Sequence, residues 1–147
     1  MRRRLLLVEP DQGLAAIVQH TIRGTAEVAT HSQFETARKD LLHKRYDFVV
    51  TNLRLKTYNG LHLAYLALMA DPPARAIVYT NEYELPFARE IQRAGAFYET
   101  SERLPYALQA YIEAILPPRD RRDPSVRDRR TIFRGGRRCW DRQPSQV

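Results

Sequence analysis

Short apolar runs that alternate with stretches of helical periodicity constrain this 147-residue chain more than any other feature. Leu5 to Val8, Phe48 to Thr51 and Ala76 to Thr80 read as buried strands. Ala26 to Ala29 and Phe97 to Thr100 read as weaker ones. Between them, apolar residues recur at helical spacing: Leu14, Ala15, Ile17, Val18, Thr21 and Ile22, then Phe34, Ala37, Leu41 and Leu42, then Leu61 to Met69, then a helix within Glu84 to Arg93, then Leu104 to Leu116. Two parallel strands need a crossover of about a dozen residues or more, which a helix supplies. The pattern predicts an α/β domain over residues 1–116: a doubly wound, flavodoxin-like, five-stranded parallel sheet with helices on both faces. In such a sheet the functional loops lie at the carboxyl ends of the strands, here near Glu9, Ala29, Asn52, Thr80 and Thr100.

Punctuation supports the boundaries. Gly24 can end the first helix, and Ser32-x-x-Glu35 has the form of a capping box for the second. Asp71-Pro72-Pro73 stops the third, and Pro117-Pro118 stops the last. Residues 117–147 then form an Arg-rich tail broken by Pro and Gly, predicted to be flexible or to fold only against a partner.

The net charge of +7 belongs to that tail. Residues 1–116 hold 14 Arg or Lys against 13 Asp or Glu, whereas residues 117–147 hold 10 Arg against 4 Asp. Arg129, Arg130, Arg137 and Arg138, with Phe133 and Trp140 as stacking groups, are candidate contacts to nucleic acid or to an acidic protein surface. The single cysteine, Cys139, excludes an internal disulfide and a cysteine-rich zinc site. The four histidines, His20, His31, His43 and His62, lack metal-ligand spacing. The apolar run in MRRRLLLVEP is too short for a signal-peptide core or a membrane span, so the expectation is a cytoplasmic protein with no membrane span. No glycine-rich phosphate loop follows any strand, so no nucleotide enzyme is indicated and no cofactor or metal is expected.

The segments LLLVEPD, YDFVVTNLRLKTYNGLHL, AIVYTN and AGAFYETSER, in this order and spacing, resemble the receiver domain of two-component response regulators over roughly Arg3 to Leu116. The resemblance implies a (βα)5 receiver fold. In that family two acidic residues after the first strand help bind magnesium. An aspartate ending the third strand accepts phosphate, a Ser or Thr ends the fourth, and a lysine ends the fifth. Carried onto this chain, Glu9 takes the first acidic place, Pro10 the second, Asn52 the phosphoacceptor's, Thr80 the hydroxyl's and Ser101 the lysine's. Thr100 and Glu102 remain alternatives for the last, and Tyr98 matches the aromatic switch position. Asp11 is either a displaced second carboxylate or a helix N-cap. Thr80 could bond Asn52, Glu9 or nearby backbone.

A neutral amide is not an anionic nucleophile, so Asn52 cannot form an acyl phosphate. Glu9 alone makes a poor site for a hard divalent ion. The reading is a pseudo-receiver that is not an enzyme: a phosphorylation-independent signalling or scaffolding module acting through protein contacts. Its partner, another signalling protein or a second copy, would meet the face around residues 84–113, which includes Phe87, Tyr98 and Tyr106. The alternative is a nucleic-acid-associated regulator that uses the tail.

Overall fold

The computed structural model describes residues 3–114. The candidate tail contacts Arg129, Arg130, Arg137 and Arg138, and the thiol of Cys139, lie outside the described residues. The elements run β1 (Arg3–Val8), α1 (Gln12–Thr21), β2 (Ala26–His31), α2 (Phe34–His43), β3 (Phe48–Asn52), β4 (Arg54–Leu55), β5 (Tyr58–Asn59), α3 (Leu61–Met69), β6 (Arg75–Thr80), α4 (Leu85–Ala94), β7 (Phe97–Thr100) and α5 (Leu104–Glu113). Five strands form one parallel sheet in the order β2-β1-β3-β6-β7, as the alternation predicts.

Strand alternation sorts the core into two layers. Leu5, Leu7, Phe48, Val50, Ile77 and Tyr79 face α1 and α5, where Val18, Ile22, Leu104 and Leu108 meet them. Leu6, Val8, Val49, Ala76, Val78 and Tyr98 face α2, α3 and α4. Both faces of β1, β3 and β6 are dry, which explains why these strands read as continuous apolar runs. Among the described residues, no helix is long and apolar enough to cross a membrane.

The caps hold the ends that matter. Asp11 accepts from the Gly13 amide at 2.9 Å and starts α1, so its carboxylate serves the helix. At the end of α4, Gly95 has φ 97°, with bonds from Gly95 N to Gln92 O and from Ala96 N to Ile91 O. This is a Schellman end that turns the chain directly into β7.

Four expectations are corrected. The Ser32–Glu35 capping box does not form: α2 begins one residue later, with Gln33 at the cap and no side-chain cap bond, while Glu35 is engaged by Tyr58. The segment after β3 is a β4–β5 hairpin rather than plain loop, with Arg54 opposite Asn59 and Leu55 opposite Tyr58. It is held because Leu55 is buried and Tyr58 stacks on Phe34 with centroids 4.4 Å apart. Ile17 and Leu42, assigned inward by periodicity, are more than half exposed, since Ala15 and Val18 of α1 with its C-cap Ile22, and Phe34, Ala37 and Leu41 in α2, already fill the buried stripes. Met69, counted with the apolar run of the third helix, is 79% exposed at the last position of α3.

Candidate functional site

Strand register assembles the site. Val8 pairs with Thr51, which places Glu9 just beyond β1 level with Asn52, and Asn52 pairs with Tyr79. Glu9, Asn52 and Tyr79 thus share one row across three adjacent strands at the carboxyl edge of the sheet.

Glu9 is only 3% exposed. Its Oε1 accepts from the Tyr79 hydroxyl at 2.6 Å and from Asn52 Nδ2 at 3.0 Å. Its Oε2 accepts from the Asp11 backbone amide at 2.8 Å. Pro10 has no N–H of its own, so the chain passes it and offers the next one. An ionised carboxylate is acceptor-only with about four lone-pair sites, and here three are filled by neutral donors of the chain itself. Burial, the Glu9 charge and the hydrogen bond to Glu9 all push the Tyr79 phenol far above its ordinary value, so its proton stays in place to be donated.

Asn52 is used at both ends. Nδ2 donates to Glu9, and Oδ1 accepts from the Arg54 amide at 3.0 Å, fixing the entry to the hairpin. Gly60, at the start of α3, lies against the same backbone: a Cβ there would stand 2.1 Å from Asn52 O and 2.8 Å from Thr51 Oγ1. Only glycine permits that approach.

Thr80 belongs to a second, separate network. Its hydroxyl donates to Glu82 O at 2.6 Å and lies 2.6 Å from the Tyr98 hydroxyl. With the threonine proton given to Glu82, the tyrosine supplies the shared one and accepts in turn from the Glu84 amide at 3.1 Å. Of the three partners expected for Thr80, backbone is the one found. Tyr98 is buried by this arrangement, with the Tyr83 ring 5.6 Å away. Ser101 bonds Asn81 Oδ1 at 3.0 Å and Thr80 O at 3.3 Å, so its short side chain ties the β6 and β7 ends together and brings no positive charge to Glu9 or Asn52.

The structure therefore brings Glu9, Asn52 and the bypassed Pro10 together and keeps Thr80, Tyr98 and Ser101 in a neighbouring network. Phe87 and Tyr106 are elsewhere. The Arg54 guanidinium lies 5.1 Å from the half-buried Phe87 ring and 3.6 Å from Glu84. Tyr106 projects from α5, 82% exposed.

The sequence shows Tyr79 only as part of the strand Ala76 to Thr80, not as a site residue. The available signal was a phenol directly after the aliphatic run Ala76 to Val78 in a buried strand, because a buried tyrosine hydroxyl needs a partner.

A magnesium site of the receiver type does not fit these residues. Both oxygens of Glu9 are turned to internal donors, Pro10 offers no oxygen side chain, and Asp11 caps α1. Among the described residues, no cluster of three or more His, Cys, Asp or Glu could hold a metal.

No protein-family model and no curated protein matches the chain. Solved structures do. The response regulator DrrB of Thermotoga maritima, an OmpR/PhoB homolog, is similar over 77% of this chain with a TM-score of 0.69 and 21% identity. This chain covers 52% of DrrB, about half its length. The chemotaxis response regulator CheY4 of Vibrio cholerae matches over 75% of this chain and 98% of its own, with a TM-score of 0.64 and 19% identity. The phosphorylated cyanobacterial phytochrome response regulator RcpA matches over 80% and 99%, with a TM-score of 0.67 and 16% identity. At these identities the likeness establishes the fold, the α/β receiver fold.

Proposed function

We propose that residues 1–116 are a pseudo-receiver: a signal-transduction or scaffolding module that works through protein contacts and without phosphorylation. The observation that carries this reading is the closure of Glu9 by Tyr79, Asn52 and the Asp11 amide, in a row where position 52 holds an amide. A group that cannot attack phosphorus sits beside a carboxylate whose two oxygens both already accept hydrogen bonds from the chain. The module acts in the cytoplasm and is not an enzyme.

Its contact surface is the face around residues 84–113. Tyr106, Tyr83 and Leu85 expose large apolar area, and the stacked Arg54–Phe87 pair adds a cation flanked by Glu84. Tyrosine and arginine in such a setting are enriched where proteins meet. The likeness to CheY4 and DrrB supports a signalling setting for the fold. The Arg-rich segment 117–147 carries the alternative, in which nucleic acid is the partner.

The test compares the full chain with Tyr106→Ala, Phe87→Ala and a joint alanine variant at Arg129, Arg130, Arg137 and Arg138. Self-association is read by sedimentation and partner capture by crosslinking. The face reading expects the first two variants to lose an association that the tail variant keeps. Association and capture unchanged in both face variants would overturn it. Nucleic-acid binding that falls steeply with salt and is lost only in the tail variant would favour the alternative.

A further inference from the structure

We propose that Tyr79 is the built-in occupant of the cation position: its hydroxyl serves the carboxylate that a divalent ion would otherwise serve, and it keeps opposing such an ion even where an aspartate replaces Asn52. This rests on the reading of the row Glu9–Asn52–Tyr79 as a closed receiver-type site.

A carboxylate 3% exposed has lost most of its water and needs compensation from the fold. A magnesium ion would bind a carboxylate oxygen at about 2.0–2.1 Å. Oxygen Oε1 instead faces two hydrogens, from Tyr79 at 2.6 Å and Asn52 at 3.0 Å. Both present positive ends toward the space an ion would enter, so both must leave or reverse before it binds. The two differ in how easily they can. Asn52 is partly exposed at the rim, and its amide is replaced by an oxygen pair in a single Asn→Asp change. Tyr79 is fully buried in β6, its ring packed against the α1 and α5 layer, and it has no solvent-filled direction in which to swing. Its donor stays aimed at Oε1 whatever stands at position 52.

A carboxylate introduced at 52 alone would lie beside that of Glu9 with the phenol still bonded to Oε1. Two like charges so placed push one toward protonation when no cation joins them. Removing the phenol as well leaves two carboxylates and no competing donor, a pair that calls for a cation. The double change therefore opens a site tighter than either single change gives.

The experiment measures Mn2+ binding to the full chain by electron paramagnetic resonance of the free ion, for wild type, Asn52→Asp, Tyr79→Phe and Asn52→Asp/Tyr79→Phe. The expected result is no site in wild type or Tyr79→Phe, weak binding in Asn52→Asp, and binding tighter by about tenfold or more in the double variant, the scale on which groups beside a ligand tune a metal. Adding Glu9→Gln abolishes the gain. Melting curves with and without Mn2+ establish folding, and Asn52→Asp/Tyr79→Leu repeats the test should the phenylalanine pair not fold. Equal affinity in Asn52→Asp and the double variant, or Mn2+ binding by wild type that Glu9→Gln removes, overturns the proposal. Failure of the face around residues 84–113 to bind protein would sink the proposed function and leave this result unchanged.

Discussion

Replacing Tyr79 by Phe removes one oxygen and keeps the ring, so the packing between β6, α1 and α5 survives and the loss is that of the hydrogen bond to Glu9. Hydrogen bonds to charged groups contribute about 1.5–3 kcal/mol net, more than neutral ones. The 2.6 Å length and full burial place this one in the middle or upper part of that range. Two donors remain on Glu9, from Asn52 and Asp11, so the carboxylate is weakened in its compensation rather than abandoned. The expected destabilisation is about 2 kcal/mol, read in urea with an unchanged slope, since the surface exposed on unfolding is the same. A double-mutant cycle with Glu9→Gln isolates the pair, because the neutral amide keeps the shape and removes the charge. A coupling of about 1 kcal/mol or more is expected for groups in direct contact. A loss below about 0.5 kcal/mol in Tyr79→Phe, the range of an ordinary surface change, or additive single variants, would refute the claim that the phenol compensates a buried charge.

Two further outcomes follow from the same geometry. Gly60→Ala forces a methyl group to within 2.1 Å of the Asn52 carbonyl oxygen, so α3 or the β3 end must shift; overpacking of this kind costs roughly 1–3 kcal/mol, checked by thermal melting, and a neutral melt would contradict the close approach. In acid, the Asp40 carboxyl reports on the α2 packing. Burial raises its pKa, but hydrogen bonds from His31 and Tyr46, both at 2.8 Å, and the charge of Lys44 outweigh this and hold it below the ordinary aspartate value. A depressed folded value means stability that is complete above the unfolded value and lost as pH falls through the lower folded one. The wild type should therefore lose stability below about pH 4 more steeply than Asp40→Asn in denaturant titrations across that range, and parallel profiles would contradict this.

The five strands and their order of helices were legible because parallel strands buried on both faces leave apolar runs that short-range patterning reveals. Asp11 was legible as a cap for the same local reason. The losses are nonlocal. Tyr79 and Glu9 are 70 residues apart in sequence, and their bond exists only because β1, β3 and β6 align Glu9, Asn52 and Tyr79 in one row. No window along the chain contains that register. The capping box failed for a different reason: the motif offered a local bond, while Phe34 was drawn onto Tyr58 and Glu35 was engaged by the same residue. Asn52, Pro10 and Ser101 were readable as departures from receiver chemistry. What the amide does instead, bridging Glu9 and the hairpin amide of Arg54, is set by strand register and so is not local to any stretch of sequence.

The proposed pseudo-receiver carries no phosphoryl chemistry at this site. The most direct measurement incubates the full chain and its Asn52→Asp variant with magnesium and a radiolabelled small-molecule phosphodonor, beside an authentic receiver, and reads acyl phosphate as hydroxylamine-labile label. Label is expected on the authentic receiver, with none on wild type and no efficient labelling of Asn52→Asp, in which Tyr79 still occupies Glu9 and neither Pro10 nor Ser101 supplies its missing group. Stable magnesium-dependent labelling of wild type, or labelling of Asn52→Asp to the level of the authentic receiver, would contradict it.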